Sequence, residues 1–507
     1  MYLLGYDIGS SSIKAALVQA ATGKTIGLAQ YPDTEMEIIA LQPGWAEQQP
    51  ELWWEYVCQV TKKLLQQTQV QATDIQAIGI AYQMHGLVLV DKNQEVLRPS
   101  IIWCDSRAVK IGNQAFENMG AEKSLSHLLN SPGNFTASKL KWVQENEPEL
   151  YGKIDKMMLP GDYIALKLTG EVGTTISGLS EGMLWDFQEN AVADIVLNEY
   201  NIRKELIPNI LPTFSLQGTL TTQAAQETGL RTGIPVTYRA GDQPNNALSL
   251  NVLNPGELAA TGGTSGVVYG VVDKPVYDSA SRVNGFAHVN YTLELPRIGI
   301  LLCINGAGIQ YSWVKHQIAA ENLSYNEMEN LAASVPIGSD GLRMVPFGNG
   351  AERVLCNKNP GAQLNNLHFN RHTRAHLYRA ALEGIAFSFK YGIQILKEMG
   401  MKIDVIRVGN DNLFQSNIFA NTIANLTGSR IEMVKTTGAV GAAKASGVGI
   451  GLYHTIEEAI GSNEILLTYE PLAANEEYEQ AYAIWQQDLG QLIMKMGDGV
   501  IGECGTK

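Results

Sequence analysis

The chain has 507 residues, of which 45% are hydrophobic and 17% charged, and its formal net charge is -14. At roughly 100–200 residues per domain, that length gives two to four domains or two large ones, and the apolar content is that of a globular protein with a sizeable core. An acidic balance without a Lys/Arg cluster argues against a nucleic-acid partner, and no apolar run approaches the ~18 residues a membrane helix needs.

The first segment, "YLLGYDIGSSSIKAALVQAATGKTIG", reads as strand, polar turn, strand. Leu3, Leu4 and Tyr6 precede Asp7, and Ala15, Leu17 and Val18 follow Lys14, which is a β-hairpin pattern. The opening "MYLLGYDIGS" has neither a basic region nor a cleavage site, so a secretory signal is not expected there. In "PELWWEYVCQVTKKLLQQ", Trp53, Trp54, Val57, Val60 and Leu64 recur at helical spacing with Pro50 near the start. The strand "IQAIGIAY" then runs straight into "QMHGLVLVD". Further on, "AGDQPNNALS" holds one carboxylate, Asp242, among small polar residues. It is too polar for a core strand and too small-residued for a charged surface helix. From this segment alone Asp242 is either a turn or N-cap acid or a functional carboxylate.

The second half repeats the opening. "GELAATGGTSGVVYGVV" is again strand, Gly/Ser/Thr turn, strand, with "GGTS" standing against "GSSS". "TRAHLYRAALEGIAFSFKYGIQILKEMG" predicts a long helix, "DVIRVGN" a strand and "SNIFANTIANLTG" a second helix. The repeat period, about half the chain, is too long for a solenoid. Two related α/β domains facing a cleft are expected, spanning 1–248 and 249–507, with the boundary near the turn residues Asn254, Pro255 and Gly256. The five cysteines, Cys58, Cys104, Cys303, Cys356 and Cys504, are odd in number and widely spaced without C-x-x-C, which predicts free thiols in a reducing compartment, the cytoplasm.

A turn whose backbone N–H groups point inward, with Ser or Thr hydroxyls added, is an anion cradle. Gly9, Ser10, Ser11 and Ser12 make one such turn, and Gly263, Thr264 and Ser265 lie in another. Two cradles across a cleft suit a polyphosphate. Asp7, just before the first, is then a natural Mg²⁺ ligand, and Lys14 adds positive charge. A Walker A loop is absent: "TGKT" ends like one, but Val18 stands where its first glycine belongs.

The segments "YDIGSSSIKA", "ATGGTSG" and "TTGAVGAAKASG" resemble the phosphate and C-terminal segments of the actin-like ATPase superfamily. Within it, "GWAEQQPELWWE", "QMHG", "RPSIIWCDSRA", "PGNFTASKLKWVQENEPELYGKIDKMMLPGDYIALKLTG", "AGDQPNNAL" and "YRAALEGIAFSF" resemble the FGGY carbohydrate kinases over nearly the whole chain. The resemblance implies two ribonuclease-H-like domains facing a central cleft, with ATP, Mg²⁺ and a small-molecule sugar as ligands and a homodimer as a candidate assembly. It makes Asp242 the general base, with Gln243 and Asn246 hydrogen-bonding sugar hydroxyls. "QMHG" is similar to the xylulose kinases, whereas glycerol kinases carry Arg-Glu there. Gln83, Met84 and His85 would therefore read the sugar, Met84 as an apolar wall and His85 as a hydroxyl partner. Trp103 is a candidate pocket wall, in a segment where Cys104 replaces the more usual asparagine. Gly263, Thr264 and Ser265 would hold the β- and γ-phosphates, with Gly306 and Gln310 near the nucleotide. The adenosine segment departs from the family's Gly-Gly-Gly run: here it is Gly409, Asn410, Asp411, Asn412. Whether Arg343, Arg353 or Lys358 touches ligand stays open. The expected reaction is ATP-dependent phosphorylation of D-xylulose to D-xylulose 5-phosphate. L-ribulose, L-xylulose or sedoheptulose are alternative substrates, and an actin-like nucleotide switch without a sugar is the remote alternative.

Overall fold

The computed structural model describes residues 1–461 and 463–496. Three antiparallel strands open the chain: β1 (Tyr2–Ile8), β2 (Ile13–Gln19) and β3 (Thr25–Tyr31). Helix α1 (Pro50–Thr68) follows, with Pro50 in its first turn, where a missing N–H costs nothing. Its Trp53, Val57, Val60 and Leu64 are fully buried, each contributing roughly 1.5–3 kcal/mol of apolar burial. β4 (Ile75–Tyr82) runs parallel to β1, and β5 (Val236–Gly241) runs parallel to β4. The sheet order is β3-β2-β1-β4-β5. β4 and β5 are buried along almost their whole length, as strands covered on both faces are.

Between β4 and β5 lie α2 (Thr136–Asn146) and the short α3 (Ile176–Glu181). α4 (Asp242–Ser249) leaves β5 without a loop. The second sheet comprises β6 (Glu257–Gly262), β7 (Gly266–Val272), β8 (Asn284–Ala287), β9 (Ile298–Ile304), β10 (Val405–Gly409), β11 (Arg430–Val434) and β12 (Ile465–Tyr469). Its order is β8-β9-β7-β6-β10-β11-β12. The inner five, β9-β7-β6-β10-β11, repeat the first sheet's order and its pattern of two antiparallel and two parallel pairings. The repetition expected from the two hairpin segments is therefore a repetition of the whole sheet. Helices α5 (Gly308–Gln317), α6 (Tyr325–Ala333), α7 (Arg374–Glu398), α8 (Asn417–Thr427), α9 (Gly438–Gly449) and α10 (Glu476–Lys495) complete the chain.

Helix α9 ties the two sheets together. It starts just beyond β11 of the second sheet, yet it lies on β1 and β4 of the first. Gly5 and Gly79, neighbours in the β1/β4 register, make room for it. A Cβ on Gly5 would sit 2.0 Å from the Ala439 carbonyl oxygen, and one on Gly79 would sit 2.0 Å from that of Ala442. Only backbone-on-backbone contact fits here, which explains why α9 is mostly Gly, Ala and Ser, with Val440, Lys444 and Val448 as its larger residues.

One sequence expectation fails. Cys58, Cys104 and Cys303 are free thiols, but Cys356 is disulfide-bonded. The wide spacing of the cysteines misled because sequence separation does not limit which of them the fold brings together. Cys504 lies outside the described residues.

Candidate active site between the two sheets

Because β1, β4 and β5 are parallel, their carboxyl ends meet at one edge, where open α/β sheets bind ligands. Asp7 is level with Ala81 on β4, which is level with Ala240 on β5. One edge therefore presents Asp7, the run Gln83, Met84, His85, and Asp242. Asp242 occupies the first turn of α4, with Gly241 rather than Asp242 at the N-cap position.

Burial pushes the Asp242 carboxyl up to about 7, and the neighbouring Asp7 charge pushes the same way. Backbone N–H groups of the first turn and the Gln243 side chain oppose that rise. Asp7 is likewise raised, chiefly by desolvation, with Lys14 pulling it back. Two desolvated carboxylates in one electrostatic neighbourhood repel each other, and a cation relieves that. Among the described residues no group of three or more His, Cys, Asp or Glu could cage a metal. This donor set fits Mg²⁺, which keeps waters and binds through one or two carboxylates plus phosphate oxygens. The N-terminus of α9 closes against the same point: a Cβ on Gly438 would lie 2.7 Å from Asp7 Oδ2. Asn245 on α4 fixes that approach by donating to the Gly438 carbonyl at 2.9 Å.

In the adjoining run, Met84 packs under Gly241, its Cγ 2.6 Å from where a Cβ would stand. His85 adopts a positive φ of 63°. Its backbone N–H donates to Glu181 Oε2 at 2.8 Å, and Nδ1 lies 3.0 Å from the Glu181 carbonyl oxygen. A carbonyl can only accept, so Nδ1 carries the proton and Nε2 is left as an acceptor for a hydroxyl. Burial drives His85 down to about 3, so the ring is neutral. Glu181, fully buried, is raised well above its ordinary carboxyl value, chiefly by desolvation. Lys139 on α2 donates to the carbonyls of His85, at 2.7 Å, and Ile102, at 3.0 Å. Its own pKa is lowered to about 7 by burial. Glu181 and Lys139 thus shape the loop that presents His85. Neither is visible in the sequence, because their meaning lies in contacts 96 and 54 residues away.

The remaining residues expected to face the sugar divide. Gln83 is buried; its Nε2 reaches Gln48 Oε1 at 3.4 Å, and its Oε1 has no partner. Gln243 stays beside Asp242 as a hydrogen-bond donor. Trp103 is 54% exposed, and its Nε1 donates to Ser10 Oγ at 3.2 Å, so it abuts the first polar turn. Asp105 and Arg107 bind each other at 2.7 Å, with the guanidinium 3.8 Å over Trp45, and brace that loop from within.

Both polar turns leave amides free. Gly9 N–H closes the first hairpin on the Ser12 carbonyl, while Ser10 and Ser11 amides make no backbone bond among the described residues. In the second turn, the carbonyls of Gly263 and Thr264 accept from Gly308 and Ile309 at the start of α5, which holds the turn open. A cavity of ≈ 570 Å³ adjoins this turn, lined among others by Thr264, Tyr311, Tyr325, Asn412 and Leu413. Its size suits a nucleoside. Tyr311 and Tyr325 stack at 5.6 Å. Gly306 and Gln310 are not among its lining residues: Gly306 is packed against the Pro346 carbonyl, and the Gln310 amide turns to the Met344 sulfur. Gly409 ends β10 and Asn410 follows it just before the lining segment, and Asp411 folds back over Gly409. Asp411 also feels Lys14, which belongs to the first hairpin. Of the three open cations, Arg343 pairs with Asp488 on α10 at 2.5 Å, while Arg353 faces the sugar-side loop; Lys358 donates its backbone N–H to Leu355.

The chain is similar to known proteins over most of its length. The N-terminal domain of the FGGY family of carbohydrate kinases matches residues 2–249, and its C-terminal domain matches residues 258–450. A xylulose kinase of Bacillus subtilis (strain 168) is 29% identical over 475 residues, 90% of either chain. An L-xylulose/3-keto-L-gulonate kinase of Escherichia coli (strain K12) is 28% identical over 508 residues, 97% of either chain. The crystal structure of xylulose kinase from Rhodospirillum rubrum superposes with a TM-score of 0.87 at 25% identity, covering 97% of this chain and 99% of that one.

Proposed function

The chain belongs to the FGGY family of carbohydrate kinases, and from that premise we propose that it transfers the γ-phosphoryl group of ATP to the C5 hydroxyl of D-xylulose, giving D-xylulose 5-phosphate in the cytoplasm. The observation that carries this reading is Asp242, a carboxyl held up to about 7 at the meeting point of both sheets, beside the Met84–His85 loop. A sugar hydroxyl is a poor nucleophile until its proton leaves. Asp242 takes that proton as the oxygen attacks the γ-phosphorus, a contribution of typically about 10²–10⁴-fold. Met84 walls the carbon chain, and His85 Nε2 accepts from a sugar hydroxyl. The amides of Ser10, Ser11 and the Gly263–Ser265 turn, with Lys14, take up phosphoryl charge. Asp7, with Asp242 near it, would hold Mg²⁺, which when bound neutralises charge on the β- and γ-phosphates. The Tyr311–Tyr325 cavity takes the adenosine. The lobes divide near residue 248, and their closure excludes water.

The relatives named xylulose kinase and the Gln-Met-His-Gly run support D-xylulose. The E. coli relative, almost equally similar, supports L-xylulose as the second reading. A nucleotide switch without a sugar has no need of the loop built by Glu181 and Lys139. The test is a coupled ADP assay over D-xylulose, L-xylulose, L-ribulose, sedoheptulose, gluconate and glycerol. D-xylulose should give a kcat/KM at least 10-fold above the next acceptor; a higher value for any other acceptor contradicts the assignment.

A further inference from the structure

We propose that Arg353 is an acceptor-binding residue that reaches across the cleft and donates to the ketose at the end opposite the phosphorylated hydroxyl. The inference rests on the ketose kinase reading and extends it to a residue of the second half of the chain.

Arg353 differs from the other enclosed arginines. Arg98, Arg107, Arg239, Arg379 and Arg407 each face a carboxylate at ion-pair distance. The Arg353 Nη1 is buried and has no hydrogen-bond partner. The groups whose charge bears on it are the Cys303 thiol and its own neighbour Glu352. A guanidinium offers five donors in a fixed fork, so enclosing its Nη1 without an acceptor is costly unless a ligand supplies one.

Its position says which ligand. The guanidinium carbon lies 5.6 Å from the Phe135 ring centroid, and its Nη2 is 3.1 Å from where a Gly133 Cβ would be. Phe135 meets the His85 ring edge-on at 4.6 Å. His85 follows Met84, which packs under Gly241 beside Asp242. These contacts form a row: Asp242 at one end, then Met84, His85 and Phe135, with Arg353 at the other. A five-carbon chain with its C5 hydroxyl at Asp242 directs its C1–C2 hydroxyketone along this row toward Arg353. The Cys303 thiol on β9 feels the charges of both Asp242 and Arg353. Arg353 comes from the segment after Phe347 in the second half, whereas Gly133, Phe135 and His85 belong to the first. A sugar held by both therefore bridges the lobes, which couples acceptor binding to closure.

The test is a comparison of acceptors. Arg353→Gln and Arg353→Lys are assayed on D-xylulose, on 1-deoxy-D-xylulose, which lacks the C1 hydroxyl, and on xylitol, which lacks the ketone. On D-xylulose, Arg353→Gln should lower kcat/KM by at least ~10-fold, through the ketose KM, with the ATP KM within ~2-fold of wild type. The loss should shrink below ~3-fold on whichever truncated acceptor lacks the oxygen that the guanidinium serves. Arg353→Lys, which keeps the charge and loses the fork, should recover part of the loss on D-xylulose. Equal losses on all three acceptors, or a fall in thermal stability with unchanged ketose KM, overturn the proposal. If wild-type enzyme prefers a different ketose, the D-xylulose assignment fails, and the same comparison on that ketose and its deoxy and polyol analogues still decides the role of Arg353.

Discussion

Asp242 sits where its chemistry and its cost have one cause. Desolvation raises its pKa to about 7, against an ordinary value of 3.8. As a base it must be ionised, so kcat/KM for the sugar should rise with pH through about 7 and then level off, because that parameter reports the free enzyme. Asp242→Ala should lower kcat by two or more orders of magnitude with ATP binding nearly intact, as read by turnover and equilibrium nucleotide titration. The sign of the stability effect follows from the same shift. Below pH ~4 the carboxyl is protonated whether folded or unfolded. Between the two values only the unfolded chain releases its proton, so stability falls as pH rises, and the full cost is present above pH 7. Asp242→Asn should therefore melt higher than wild type at pH 8, with the gap closing toward pH 4; a constant gap would remove desolvation as the cause. Asp7 stood out in the sequence beside a polar hairpin turn and Asp242 as a lone carboxylate in a small polar run, whereas the roles expected of Asp242 and His85 came from the resemblance to the FGGY carbohydrate kinases. Glu181, Lys139 and Arg353 did not stand out, since nothing local separates a buried pairing partner from a surface charge.

At the scale of elements, strands and helices were readable wherever hydrophobic period and turn residues agreed, as in α1, α7 and both hairpins. Helix α9 shows what that reading misses. Its small residues give no apolar stripe, and its seat on Gly5 and Gly79 is fixed by backbone approach across the whole fold. Gly79→Ala forces a Cβ against the Ala442 carbonyl, an overpacking that costs about 1–3 kcal/mol. Denaturant titration should show that loss; unchanged stability would mean that α9 rests less closely on β4. Gly438→Ala carries its Cβ toward Asp7 Oδ2 instead. It should reduce kcat and raise the Mg²⁺ concentration needed for half-maximal rate. The nucleotide cavity depends on α5 and α6, whose tyrosines have no sequence signature of their own. Tyr325→Ala, which removes one stacked ring, should raise the ATP KM several-fold and leave the sugar KM alone.

Across the whole molecule, duplicated sheets each carry a Gly/Ser/Thr hairpin turn, and the proposed function reads these turns and the Met84–His85 loop as one shared site. The duplication was visible in the paired hairpins, but the strand order was not, because parallel pairing joins distant segments, β4 to β5 and β6 to β10 each across more than a hundred residues. A site shared between lobes gives binding a mechanical consequence. The radius of gyration from X-ray scattering should fall when sugar and a non-hydrolysable ATP analogue are both present, and fall less with either alone. The central claim is that Asp242 and the triphosphate approach one sugar oxygen from opposite sides. The most direct measurement is a crystal structure with D-xylulose, Mg²⁺ and a non-hydrolysable ATP analogue. The account predicts an Asp242 carboxylate oxygen within ~2.6–3.2 Å of the C5 hydroxyl, with the γ-phosphate on the other side of that oxygen. A carboxylate turned away from the sugar, or a different hydroxyl at that position, would contradict it.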